Sequence, residues 1–221
     1  MRVVLSSSAA VRLDAARQFI LAAPASAEIL VVAANRGAAD DFVRSLAAAH
    51  GATFGLYRFS LTQLAARLAA PLMADARLTP ATALGIEAVA ARAVYDASND
   101  AALSYFKPVA ESPGFPRALA RTLEELALAA VPAAALGGAG PGARDLAELL
   151  TRFDVQCAAV STVDRAAFLR AATHAARDST GAYASCRLVL LDLVGVVRRE
   201  FVPVARFVPI EVWRRRPVVA R

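Results

Sequence analysis

Residues 28–33 read EILVVA, and residues 187–193 read RLVLLDL. An apolar run without polar alternation cannot keep one face in water. It predicts a strand covered on both faces, as in the parallel sheets of α/β proteins. Similar local patterns surround the first run. Arg2–Leu5 predicts a short strand and Ser8–Ala22 a helix, with Val11, Ala15, Phe19 and Leu21 or Ala22 toward a core. Asp40–Ala49 predicts a second helix with Phe42, Val43 and Leu46 on its apolar side, and Thr53–Phe59 a third strand. A third helix, Leu61–Ala69, follows Ser60, a good N-cap residue.

From about residue 76 the pattern is helical only. Thr79-Pro80 reads as a cap and first-turn proline for a helix to about Tyr95, and another short helix is expected after Asn99. Ser112-Pro113-Gly114 is a turn. Leu119, Leu123, Leu126 and Ala130 then recur at helical spacing until Pro132. Beyond the glycine-rich loop 137–142, helices are expected near 143–158 and 163–177, the latter capped by Thr162 or Asp164. Strands early and late with helices between them predict an α/β fold interrupted by an all-helical insertion. The expected division is 1–75 together with 180–197 for the sheet part, 76–179 for the insertion, and 198–221 as an irregular basic tail.

The 221 residues are enough for a sizeable core. They are 57% hydrophobic, but alanine supplies much of that, and no stretch of about 18 uncharged apolar residues occurs to span a membrane. Arg12, Asp14 and Arg17 interrupt any apolar segment near the start, so a cleavable leader is not expected there and a cytoplasmic location is. Cys157 and Cys186 have no CxxC partner and read as free buried thiols in a reducing compartment. His50 and His174 stand alone, so no metal-ligand spacing arises.

The net charge of +6 is unevenly placed. Residues 198–221 hold seven arginines against Glu200 and Glu211, a balance of +5, which leaves +1 for everything before them. The basic character describes a tail rather than a domain. Lys107 is the single lysine.

Three stretches, in order, resemble the first motor domain of superfamily-1 helicases. They are the opening strand–loop–helix MRVVLSSSAAVRLDAARQFI, the segment ILVVAANRGAADDFVRSLA, and GLYRFSLTQLAARLA. The second is similar to the family's strand followed by T-N-K-A-A-x-x-M, the third to T-F-H-x-L-A-x-R-L. RLVLLDL sits where the apolar strand with an acidic pair belongs. The helical middle, with LTPATALGIEAVAARAV, SPGFPRALARTLEELALA and ARDLAELLTRF, is similar to the helical insertion of AddB-like subunits of ATP-dependent helicase–nucleases, which process broken DNA ends. The resemblance covers about residues 1–195.

It implies a RecA-like (P-loop NTPase-like) parallel-sheet half-domain, a degenerate 1A domain, carrying a 1B-like helical insertion. It also implies a role in double-strand-break repair beside an AddA-like motor subunit, with single-stranded or end DNA as partner and no membrane. Ser6, Ser7, Ser8, Arg12 and Asp192 fall at the nucleotide site. Asn35, Arg36, Phe59 and Ser60 fall along the DNA path, where helix-start amides, a guanidinium and an aromatic face suit a stacked, charged strand. Arg36 as a solvated residue and Phe59 as a core residue are the alternatives.

The departures bear on activity. A phosphate loop of the form GxxxxGK[ST] uses glycines to bring amides to the phosphates and a lysine to neutralise them. SSSAAVR has neither, and Asp192-Leu193 lacks the glutamate that would activate water. ATP hydrolysis by this chain is not expected, nor an ATP or Mg²⁺ cofactor, and inactivated motors occur among AddB-like subunits. The clustered carboxylates and lysine of the family's nuclease do not follow residue 195, which reads as a truncation or a frame change. The competing expectations are a nucleotide-binding enzyme with a divergent loop and a functionless remnant.

Other constellations have plainer readings. Glu124-Glu125 point about 100° apart on a helix and read as a solvated face. Asp40-Asp41 read as helix-start carboxylates favoured by the macrodipole. Tyr105-Phe106-Lys107-Pro108 mixes aromatics with a cation and suits either single-strand binding or packing at a helix end. Trp213 with Arg214, Arg215 and Arg216 suits phosphates or an unstructured tail.

Overall fold

The computed structural model describes residues 2–177, 181, 183–192 and 210–214. The chain forms two compact units, residues 1–70 with 171–221, and residues 71–170. The breaks at 70/71 and 170/171 fall five and nine residues before the expected 75/76 and 179/180.

The first unit is α/β. Strands β1 (Arg2–Leu5), β2 (Ile29–Ala33), β3 (Leu56–Ser60), β6 (Arg187–Leu191) and β7 (Ile210–Arg214) form a parallel sheet in the order β1-β7-β6-β2-β3. Every residue of β2 is buried, as its unbroken apolar run requires. β7 corrects the expectation of an irregular tail: residues 210–214 pair with β1 on one side and β6 on the other. The rest of that segment, 198–209 and 215–221, lies outside the described residues. So does any placement of Arg215 and Arg216.

On one sheet face, α1 (Ala9–Leu21) and α2 (Arg36–His50) close a core of Ala16, Ile20, Phe42, Val43 and Leu46 over Ile29, Val31, Ala33, Val189 and Leu191. The face α1 turns inward overlaps the expected one only in part: Ala15 and Phe19 pack against this core, half-buried. Val11 is 53% and Leu21 47% exposed, while Arg12, Ala16 and Ile20 are buried, one every fourth residue. The helix is rotated because Arg12 finds a partner inside. Gly55 opens β3 with φ +70°, and a Cβ there would stand 2.9 Å from the Ala27 carbonyl oxygen. Only glycine fits that approach.

The second unit is helical. α4 (Ala83–Asn99), α5 (Phe115–Leu128) and α7 (Pro141–Ala159) pack Val89, Ala93, Val94, Ala97, Leu119, Leu123, Leu149 and Phe153 into a separate core. A short α6 (Ala133–Leu136) joins α5 to α7. Thr79-Pro80 is not a helix cap: it forms β4 (Thr79–Pro80), paired in parallel with β5 (Thr162–Val163). The cap of α4 is Thr82, which accepts from the Gly85 amide at 3.1 Å. Asp164 caps α8 (Arg165–Ala176) by accepting from Ala167 at 2.6 Å. α3 (Leu61–Asp75) continues past Pro71, beyond the expected end at Ala69. No α-helix lies between Asn99 and α5; residues 100–114 are turns, bends and irregular backbone.

α3, α4, α5 and α7 each end on a left-handed residue that is not glycine: Arg77, Ala101, Ala130 and Ser161, with φ of 51–54°. At the first three, the next residue's N–H returns to the helix: Leu78 to Met73, Ala102 to Ala97, and Val131 to Leu126, each at 2.9 Å. That is the Schellman termination, which glycine adopts without steric cost.

Candidate functional site at the carboxyl edge of the sheet

In the order β1-β7-β6-β2-β3, β6 and β2 are neighbours whose next strands in sequence, β7 and β3, lie on opposite sides of them. Open parallel sheets bind ligands at such a reversal, beyond the carboxyl ends of the strands. Asn35 after β2 and Asp192 after β6 flank that point, and the loop 6–8 follows β1 at the same carboxyl edge.

Arg12 closes this place. Its Nε donates to Asp192 Oδ1 at 2.7 Å, and Nη2 donates to Oδ2 at 2.8 Å. Nη1 donates to the Ser6 carbonyl at 2.6 Å. The residue is 1% exposed, whereas the Asp192 side chain keeps 40% of its surface in solvent. A two-pronged fork on a carboxylate is the strongest geometry a guanidinium offers. Hydrogen bonding to Asp192 raises the Arg12 pKa from its ordinary value, against burial, which lowers it. Asp192 itself is left-handed, φ 45°, a conformation aspartate tolerates better than most residues.

The serines are satisfied within the loop. Ser6 Oγ accepts from the Ser8 amide at 3.1 Å, and Ser8 Oγ caps α1 through the Val11 amide at a long 3.5 Å. Both Asp192 carboxylate oxygens accept from Arg12, and the Ser6 carbonyl accepts from the same guanidinium. Ser6, Ser8, Arg12 and Asp192 are thus brought together, but as a closed cluster. Ser7 is exposed and stands outside it.

Two further helices start along the same edge. Asn35 caps α2, accepting from Ala38 at 2.9 Å. Ser60 and Gln63 form a reciprocal capping box: Ser60 N–H donates to Gln63 Oε1 at 3.0 Å, and Gln63 N–H donates to Ser60 Oγ at 3.2 Å. Ala33 and Ser60 are register partners on adjacent strands, so these helix starts are neighbours. Arg36 pairs with Asp40 at 3.2 Å, and Arg58 approaches the same carboxylate at 3.5 Å. Two guanidiniums on one carboxylate leave the edge positive. Asp40 therefore bridges arginines rather than capping a helix, because α2 begins at Arg36, earlier than expected. Phe59 is 8% exposed and meets the Tyr183 ring edge-on at 5.8 Å. Its ring is a core element, not a free stacking face, because it sits on the buried side of β3.

Both cysteines are buried and free. Burial, then Asp164 and Asp154, pushes the Cys157 thiol up to about 12. Burial raises the Cys186 thiol, helped by Glu28, whose other carboxylate oxygen accepts from Tyr57 Oη at 2.7 Å. Neither is a reactive thiolate. Among the described residues, no three His, Cys, Asp or Glu side chains are placed to hold a metal ion, and no helix is long and apolar enough to cross a membrane.

The pairing of Arg12 with Asp192 is what sequence reasoning missed. Both belonged to the expected nucleotide group, but as separate contributors. The available signal was an arginine in line with Ala16 and Ile20 on a helix, with an aspartate ending a buried strand. No protein-family model and no curated protein matches the sequence.

Proposed function

We propose that this chain is an ATPase-inactive, helicase-derived domain of an AddB-like nuclease subunit, with a RecA-like half-domain. In double-strand-break repair it would bind single-stranded DNA or act as a scaffold beside an AddA-like motor. The observation that carries the reading is the Arg12–Asp192 fork. It stands where a phosphate loop and its acidic partner strand would hold a nucleotide, and it satisfies both with the chain's own side chains. A site closed this way does no nucleotide chemistry, so the reading includes neither ATP nor Mg²⁺. What remains for the sheet edge is binding: the starts of α2 and α3, with Arg36 and Arg58, favour a phosphate backbone.

Two measurements test this. The thermal unfolding midpoint should not move with Mg-ATP; a clear upward shift would mean the fork opens for nucleotide. Labelled single-stranded DNA should bind at low salt with an affinity falling steeply as salt rises, as counterion release requires. Absence of binding at low salt would sink the DNA-binding role.

A further inference from the structure

A second feature, in the helical unit, lies outside the sheet edge. Tyr105 is 62% exposed, yet its position is fixed from several directions. Its amide donates to Asp145 Oδ2 at 2.8 Å, and the amides of Ser104 and Phe106 donate to the same oxygen, each at 2.9 Å. Ser104 Oγ donates to the other oxygen at 3.1 Å. Its ring lies against the first turn of α7, where a Cβ on Gly142 would stand 3.1 Å from Cδ1. Phe106 meets it edge-on at 5.1 Å and is backed by Phe115 at 5.5 Å. Lys107, two residues on, is exposed and in no ion pair among the described residues.

A tyrosine that only filled a helix end would be covered by these contacts. This one keeps most of its surface in water while its backbone is locked, so it has little freedom left to lose on binding. A rigid, solvent-facing ring with an unpaired lysine two residues on suits the chemistry of a nucleic-acid single strand, whose bases stack on aromatics and whose phosphates seek cations. We propose that Tyr105 is a stacking platform for a base of a single strand, with Lys107 meeting an adjoining phosphate. The assignment rests on the reading of the chain as a single-strand binder and adds a contact in the helical unit.

The test is fluorescence anisotropy of the full chain with labelled oligothymidylate. Y105A should weaken binding about tenfold and Y105W should hold it within about twofold, because an indole also stacks. Y105A should leave the salt slope unchanged, whereas K107A should lower it by about 0.7 for one lost phosphate contact. A chain that binds no strand at low salt would overturn the functional reading and this assignment with it. Equal binding by the unaltered chain and Y105A would overturn the Tyr105 assignment alone. Photocrosslinking of bromouracil-substituted strand to the unaltered chain gives a readout that no variant can disturb. An adduct on Tyr105 supports the platform, and adducts found only elsewhere overturn it.

Discussion

Arg12 in the α/β unit and Asp145 in the helical unit are buried to nearly the same degree, at 1% and 2% exposure. They are stabilised in opposite ways. Arg12 is matched by a full countercharge, Asp192, 180 positions along the chain. Among the described residues Asp145 pairs with no cation: three backbone amides and one hydroxyl hold it. Burial alone would push the Asp145 carboxyl up. The amides of Phe106 and Ser104, the Ser104 hydroxyl and the Tyr105 amide outweigh it and bring the pKa below the ordinary 3.8. A lone charge can thus be buried by peptide dipoles when a turn is wrapped around it. The ion pair fastens α1 to the end of β6; the carboxylate shapes a loop.

The contrast is sharpest when each acceptor is removed. D145A leaves three amides without an acceptor and should destabilise the helical unit by about 3–4 kcal/mol, read by chemical denaturation. A loss under about 1 kcal/mol would mean that water replaces the carboxylate freely. D192A should cost about 3 kcal/mol, since it strands a buried guanidinium. R12M should cost only about 1 kcal/mol: it removes the buried partner, leaves Asp192 near solvent, and keeps the apolar stem. If R12M proves worse than D192A, the assignment of which partner depends on the other is reversed.

Acid should separate the two units further. Because the folded Asp145 pKa is depressed, its contribution is fully present above about 3.9 and is lost as pH falls through the folded value. The unfolding midpoint should fall with acidity in that window, and D145N should remove this part of the slope. An identical acid profile for D145N would remove Asp145 from the account. The smallest effect concerns helix ends. A101G and A130G should each stabilise by about 0.5–1 kcal/mol by relieving a left-handed alanine, measured as a raised midpoint.

The sheet was legible wherever strands were continuously apolar, because burial on both faces leaves that trace. EILVVA and RLVLLDL became β2 and β6, with shifted ends. β7 was not legible: IEVWR carries charges and follows Pro209, and its pairing on both sides comes from tertiary structure. The α1 face was partly misread because an arginine is ordinarily assigned to solvent, and its carboxylate partner was far away in sequence. The ends of α4 and α5 carry no glycine, so the usual stop signal was missing. Asp145 sits within ARDLAELL, where an acidic residue looks like part of a solvated face. Only the folded turn at 104–106 gives it a purpose.

The fork also bears on how such a sequence can change over time. A substitution at position 192 alone strands a buried charge, while one at position 12 alone leaves its carboxylate without the guanidinium. Variants lacking Asp192 should therefore survive mainly on backgrounds where Arg12 has already become apolar. The order of substitution is biased: 12 first, then 192. That bias makes the closed sheet edge easier to keep than to reopen.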